Sequence, residues 1–245
     1  MKKIDLIDLK RYYNETFYDS KTRYSRKSED YKVFVDYLRP ERGSSLLDVS
    51  CGTGLLLKAA EDFYDCQTFG IDLSERAIFE AKDRLLNSNL QLANGEALPY
   101  KDKIFDFVTN IGSLEHYLNP DKGLDELIRV CKPGGRLCIV LPNYYYLLNI
   151  LCVFWKGDHL KGHQQINEKL DTLKGWLRFL NRKELTVEKI LKDKGPKQTS
   201  IFEHKNPLRI LKRVFKRFIL LVTPLNLTYQ FVFICKKTKP KKNIV

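Results

Sequence analysis

The sequence is poor in the pairings that cysteine and histidine need for structural work. Its six cysteines are scattered and include no C-x-x-C pair, which argues against a disulfide framework and fits a reducing cytosol. Of four histidines, only His159 and His163 fall four apart, and no Cys or Glu pattern completes a ligand set around them; no metal is expected. Long uninterrupted apolar runs are missing too. Leu137–Trp155 is broken by Pro142-Asn143, and Phe218–Cys235 by Thr223-Pro224 and Asn226, so neither reads as a membrane span. Met1-Lys2-Lys3 is followed by Ile4-Asp5 instead of the apolar stretch of a secretory signal, so a cytoplasmic location is expected. No internal repeat is visible. Acidic residues are scarce in one region only. Residues 1–150 hold 21 Lys and Arg against 23 Asp and Glu, whereas residues 151–245 hold 22 against 7. The excess of +13 therefore belongs to the C-terminal part. It points either to an anionic partner (a membrane surface, a nucleic acid, an acidic substrate) or to a lysine-rich solvated face.

What is present suffices for a core: 43% hydrophobic residues, with 13 Tyr and 14 Phe among 245 positions. The organising stretch is Leu46-Leu47-Asp48-Val49-Ser50-Cys51-Gly52-Thr53-Gly54. Apolar residues and a carboxylate run into a Gly-x-Gly turn, and a helical pattern follows. The glycines permit positive φ and close backbone approach to a ligand on the turn amides and the helix N-terminus.

Strand and helix patterns alternate around that stretch. Strands are expected at Ser45–Val49, Cys66–Ile71, Leu90–Ala93, Ile104–Thr109 and Arg136–Leu141, with helices at Leu55–Phe63, Ser74–Leu86 and Asp121–Cys131. Two helices with aromatic faces precede them in residues 4–39. After Pro142 come an apolar, aromatic run, Tyr144–Trp155, which either walls a substrate pocket or is a buried helix, and an amphipathic helix over Gln164–Leu180. Leu185–Ile190 and Leu227–Cys235 read as two last strands. The alternation implies a doubly wound α/β fold, a mostly parallel sheet covered by helices on both faces. Between the last strands, Pro207–Leu221 places Leu208, Leu211, Val214, Phe215, Phe218 and Leu221 on one helical face, with Arg209, Lys212, Arg213, Lys216 and Arg217 on the other. This basic amphipathic helix suits an anionic bilayer interface or packing on the core.

The glycine turn admits two nucleotide readings. A dinucleotide site wants a third glycine three residues after Gly54, where this chain has Leu57, and it does not want Asp48 before the turn. A carboxylate there repels a pyrophosphate and attracts a cation.

Five motifs in order resemble those of the class I S-adenosylmethionine-dependent methyltransferases, especially the small-molecule, ubiquinone-type group. They are Leu46–Gly54; Gly70-Ile71-Asp72-Leu73-Ser74; Asn94-Gly95-Glu96-Ala97-Leu98-Pro99-Tyr100; Phe105–Asn110 followed by Gly112-Ser113-Leu114-Glu115-His116; and Lys132-Pro133-Gly134-Gly135-Arg136-Leu137. The resemblance runs from about residue 28 to 143. It implies a seven-stranded Rossmann-like sheet with an antiparallel last strand. It divides the chain into an N-terminal helical cap (1–43), a cofactor-binding core (44–142) and a C-terminal part (143–245) holding substrate or lid helices and the basic insertion. The implied cofactor is S-adenosyl-L-methionine, held by Asp48, Ser50, Cys51, Gly52, Thr53 and Gly54 on its methionine part, by Asp72 and Leu73 at the ribose, by Asn94, Gly95 and Glu96 at the adenine, and by Asn110 at the end of the fourth strand. Asn94 departs from the family, which usually has an acidic residue there; an amide oxygen still accepts from the adenine amino group.

Methyl transfer is an in-line displacement, and a base matters only where the nucleophile must lose a proton. His116 is the candidate base; in the resembling family the Glu-His pair also orders its loop against the cofactor. His163 is a weaker candidate. No Asn-Pro-Pro-Tyr follows the fourth strand, which argues against amino methylation of adenine or glutamine. The expected acceptor is a small-molecule or lipid-linked substrate, met near a membrane through 207–221. The alternative is RNA bound by the basic part, although no RRM or OB-fold pattern is present.

Overall fold

β1 (Ser45–Val49) is an inner strand, beside the central β4, of a sheet whose order is β3-β2-β1-β4-β5-β7-β6 in the computed structural model. The structure describes residues 4–18, 26–159, 166–181, 184–193 and 222–238. β2 is Gln67–Asp72, β3 Asn89–Leu92, β4 Phe105–Ile111, β5 Cys131–Pro142, β6 Leu185–Lys192 and β7 Gln230–Lys237. β7 runs antiparallel to both neighbours and the other pairings are parallel, so the expected mostly parallel, seven-stranded sheet with an antiparallel last strand is what forms.

Alternation along each strand separates two cores. Leu47, Leu137, Ile139, Phe231 and Phe233 point to one face, under α5 (Pro120–Val130) and α7 (Leu173–Leu180). Leu46, Cys138, Val140, Val232 and Ile234 point to the other, under α2 (Ser28–Leu38), α3 (Leu55–Tyr64) and α4 (Glu75–Arg84). A parallel sheet needs both faces covered, since its strands are apolar on both. α1 (Leu6–Tyr12) begins in a capping box, with the Asp8 amide donating to Asp5 Oδ1 at 2.8 Å. It runs on as a π-helical turn, Tyr13–Phe17, that docks on the start of α4: Ser74 Oγ donates to Asn14 Oδ1 at 2.7 Å.

The C-terminal expectations fare less evenly. The two last strands form, the second shifted to Gln230–Lys237 behind a short 3-10 turn, Leu225–Leu227. The helix expected over Gln164–Leu180 starts only at Leu173, capped by Thr172 Oγ1 accepting from the Gly175 amide at 3.1 Å. Residues 166–170 are instead tied across the loop after β4. Lys169 N donates to Glu115 O at 3.0 Å, and Asn167 Nδ2 donates to the carbonyls of His116 and Tyr117 at 3.0 and 2.8 Å. Those tertiary bonds outweigh the helical periodicity. α6 (Leu147–Lys156) is not the buried helix that its apolar run allowed, and none of its residues lines the cavity at the carboxyl ends of β1, β2 and β4. None of its residues is buried, and Phe154 and Trp155 are 76% and 77% exposed. Among the described residues no helix is long and apolar enough to cross a membrane. His163 and the 207–221 segment lie outside the described residues.

One buried cation fixes the late strand pair to the early core. Lys237, 1% exposed, donates from Nζ to the carbonyls of Ile128 and Cys131 at 2.6 and 3.0 Å. Carbonyls at a helix C-terminus lack intrahelical donors. Lys237→Met, similar in length, strands both and is expected to cost about 2–4 kcal/mol, read as a lower urea midpoint at unchanged slope. A midpoint that does not move refutes the role.

Candidate active site

A cavity opens outside the carboxyl ends of β1, β2 and β4, where the strand order reverses between β1 and β4. Open α/β sheets bind ligands at this switch point. The turn after β1 forms its floor. Ser50, Gly52 and Gly54 adopt φ of 64°, 53° and 78°, the left-handed region that glycine enters without strain. Gly52 N donates to Asp72 Oδ2 at 2.9 Å and Ser74 N donates to Asp72 Oδ1 at 2.8 Å. Asp72 thus ties the turn to the N-terminus of α4. A Cβ on Gly52 would sit 2.9 Å from Tyr18 Oη, so the N-terminal segment closes directly over the turn.

The cavity collects acid groups without matching cations. Asp48, Asp72, Glu96, Glu115 and Glu168 line it, and Arg26 is the one Lys or Arg among its described lining residues. Arg26 is already ion-paired with the buried Asp193. Burial pushes Asp48 up to about 7, opposed by Thr109 Oγ1, which donates to its Oδ1 at 2.6 Å, and assisted by the nearby charge of Asp72. Burial raises Asp72 to about 6 against the pull of the Ser74, Gly52 and Leu73 amides. Burial raises Glu115 to about 8, opposed by its own backbone amide and assisted by Glu168. His116 goes the other way, to about 4, because burial disfavours its cation and the Ile166 carbonyl offsets that only in part. It is neutral at pH 7 and a weak base.

Of the residues expected from sequence, Asp48, Ser50, Cys51, Gly52, Thr53, Asp72, Leu73, Asn94, Gly95, Glu96 and His116 line this one cavity. Gly54 and Asn110 do not. A Cβ on Gly54 would meet Leu85 at 2.4 Å, behind the turn. The Asn110 amide is spent inside the scaffold: Nδ2 donates to Val49 O at 3.1 Å and Tyr117 Oη at 3.2 Å, and Oδ1 accepts from Leu114 N at 2.9 Å. Asn94 Oδ1 accepts from Glu96 N at 3.0 Å, and Glu96 Oε1 from Asn119 N at 3.1 Å. Tyr13, Tyr18 and Tyr31 of the aromatic N-terminal helices line it as well, and sequence reasoning missed Arg26, Glu115, Tyr117, Tyr229 and Gln230 as lining residues. The aromatic spacing of the N-terminal segment was a usable signal; nothing local marked Arg26 or Gln230.

The sequence of this scaffold matches a family model described as a methyltransferase domain over residues 47–139. Over these residues the chain is similar to the methyltransferases. It is 34% identical over 137 residues to the demethylmenaquinone methyltransferase of Symbiobacterium thermophilum, covering 51% of this chain and 55% of that protein. It is 29% identical over 147 residues to the ubiquinone/menaquinone biosynthesis C-methyltransferase of Cupriavidus metallidurans, covering 54% and 60%. The chain therefore spans little more than half the length of these relatives. The fold is shared over nearly the whole chain with the geranyl diphosphate C-methyltransferase of Streptomyces coelicolor, at a TM-score of 0.62, 15% identity and coverage of 96% and 97%. This matched stretch supplies the floor of the cavity. Tyr13, Tyr18, Arg26, Tyr31, Glu168, Tyr229 and Gln230, which roof it, all lie outside residues 47–139.

Proposed function

We propose that this protein transfers the methyl group of S-adenosylmethionine to a small-molecule or lipid-linked acceptor. The observation that carries the reading is the cluster of buried, cation-poor carboxylates around the glycine turn. Such groups are stabilised by a ligand bringing positive charge and hydroxyl donors. S-adenosylmethionine fits: it has an ammonium, a sulfonium and two vicinal hydroxyls. Asp72 would accept the ribose hydroxyls, since a carboxylate at this strand end suits bidentate acceptance. Asp48, fixed by Thr109, would face the ammonium. Gly52, narrowed by Tyr18, would hold the backbone close to the ligand. When bound, the cofactor supplies a methyl group on a sulfonium, open to in-line displacement. The chain's own contribution is alignment, worth up to about 7–11 kcal/mol when two reactants are held at attack geometry. His116, neutral in its buried site, is positioned in the same cavity but is a poor proton acceptor.

The domain division expected from sequence assigns recognition of the acceptor to the cap and the C-terminal part, and the roofing residues fit that division. The basic 207–221 segment would bring the protein to an anionic membrane surface, where a lipid-linked acceptor is found. The charge excess of residues 151–245 also suits RNA. One assay separates these: labelled S-adenosylmethionine added to the protein with a cell extract split into lipid, small-molecule and RNA fractions. Label in the lipid or small-molecule fraction is expected. Label in RNA replaces the reading of the acceptor, and label in none refutes the methyl transfer.

A further inference from the structure

The loop after β4 buries a carboxyl group that no described residue neutralises. Glu115 is 2% exposed, lines the cavity, and has no hydrogen-bond partner at Oε2 among the described residues. Burying such an atom unpaired is unfavourable, and more so for an anion. Apart from its own backbone amide, which favours the ionised form, its surroundings offer no relief. His116 Nε2 is 3.8 Å from Glu115 Oε1, beyond hydrogen-bond range, and its ring is neutral. From the π-helical turn comes the Tyr13 phenol, which feels the charges of both Asp72 and Glu115. From the crossing segment come Glu168, an acid that opposes ionisation of Glu115, and Lys169, which meets the loop through its backbone amide. Tyr117, on the same loop, is turned to Ser50 and Asn110, and Arg26 to Asp193. Glu115 thus belongs to a cavity wall where the described neighbours are acids, phenols and a neutral imidazole, and its unpaired oxygen is shielded from solvent.

We propose that Glu115 is the proton acceptor of the methyl transfer and that it is armed by the positive charge of the incoming cofactor. The inference rests on the cofactor reading above. In the empty cavity Glu115 keeps its proton. When a sulfonium enters, the carboxyl loses that proton to solvent and becomes its counter-ion. In the transfer, a lone pair on the acceptor forms a bond to the methyl carbon, the carbon–sulfur bond breaks with its electron pair going to sulfur, and the acceptor's proton passes to the Glu115 carboxylate. The site then holds a neutral thioether and a neutral acid, as before binding apart from the ligand, so the spent cofactor has lost its charge partner and is released more readily.

Titration calorimetry on the intact chain at pH 7, in buffers of different ionisation enthalpy, tests this with two ligands. S-adenosylmethionine and S-adenosylhomocysteine share the ammonium and the ribose, so protons displaced from Asp48 or Asp72 are common to both. Only the sulfonium differs. S-adenosylmethionine is expected to release about one proton more than S-adenosylhomocysteine, with the difference vanishing at about pH 9.5, where a carboxyl in this range is ionised before either ligand binds. Glu115→Gln, which keeps shape, is expected to bind both, to abolish the difference, and to reduce the preference for S-adenosylmethionine by about tenfold. Equal proton release by the two ligands with the parent protein overturns the proposal without any variant, as does an undiminished difference in Glu115→Gln. Binding of neither ligand overturns the cofactor reading itself and the inference with it.

Discussion

Asp72→Ala is expected to lower the affinity for both S-adenosylmethionine and S-adenosylhomocysteine at least tenfold, and towards a hundredfold or more if two charge-assisted hydrogen bonds are lost at about 1.5–3 kcal/mol each. The side chain is buried at the end of β2 and already accepts from Gly52 and Ser74. A carboxylate has about four acceptor sites, more than the amides of Gly52, Ser74 and Leu73 use, and Asp72 lines the cavity. Removing the group has two consequences, which two variants separate. Asp72→Ala leaves the Gly52 and Ser74 amides without acceptors and loosens the turn. Asp72→Asn keeps one oxygen and the shape but turns an amide towards one of the donors. If alanine and asparagine both weaken binding while asparagine keeps the unfolding midpoint near that of the parent, the loss belongs to the ligand contact. Calorimetry giving the parental affinity for either ligand in both variants would remove the cofactor assignment. Because ribose is common to the two ligands, their affinities should fall together, unlike the expected effect at Glu115.

The floor of this site was legible because its chemistry is local. A strand, a Gly-x-Gly turn and a helix N-terminus are consecutive in sequence, and Asp72 is fixed by the end of the next strand, so spacing alone brings Asp48, Gly52 and Asp72 together. Asn110 shows the limit of the same logic. Its position at the end of β4 was read correctly, but whether the amide faces the ligand or the scaffold depends on Val49, Tyr117 and Leu114, and no spacing encodes that choice. The roof was illegible for a stronger reason. Tyr18 reaches Gly52, and Asn167 reaches the loop carrying Glu115 and His116, each across a long stretch of intervening chain. Such contacts follow from packing alone. Periodicity also misled where tertiary bonds compete with it, as in residues 166–170, and where an apolar helix is not buried, as in α6. Glu115 was read as half of a loop-ordering pair with His116. The burial that leaves its oxygen unpaired is a property of the folded loop.

The ligand-free protein is expected to lose stability as pH rises from about 4 to 8, the reverse of the behaviour of a protein whose acids are paired with cations. Asp48, Asp72 and Glu115 sit near 7, 6 and 8 in the fold, against about 3.9 to 4.3 for free Asp and Glu. Below about pH 4 these three are protonated in both states and oppose nothing. Above it the unfolded chain sheds its protons first, so unfolding releases protons and is increasingly favoured until the folded groups ionise as well. Acids held low by partners work in the opposite sense: Asp102 and Glu126 beside Arg129, and Asp106 beside Lys132. They stabilise above their unfolded values and lose that as pH falls, but they lie near the surface, where pairs contribute little. Buried His116, lowered to about 4, also adds stability as pH rises towards 6.5, but it is one group against three larger or comparable shifts, and the buried trio sets the sign. A unit of pKa is about 1.4 kcal/mol, so a loss of about 4 kcal/mol or more is expected across the window, roughly a 10 °C fall in Tm for a chain of this size. S-adenosylmethionine should offset this, since a cation favours the ionised acids, and its stabilising effect should grow from about pH 5 to pH 8. Thermal unfolding with and without ligand, at constant ionic strength, measures both trends. A Tm that is flat or rising over that range without ligand would show that the cavity acids are already neutralised in the free protein. Glu115→Gln should flatten the upper end of the curve and Asp48→Asn the middle, because each removes one acid whose ionisation the empty cavity resists.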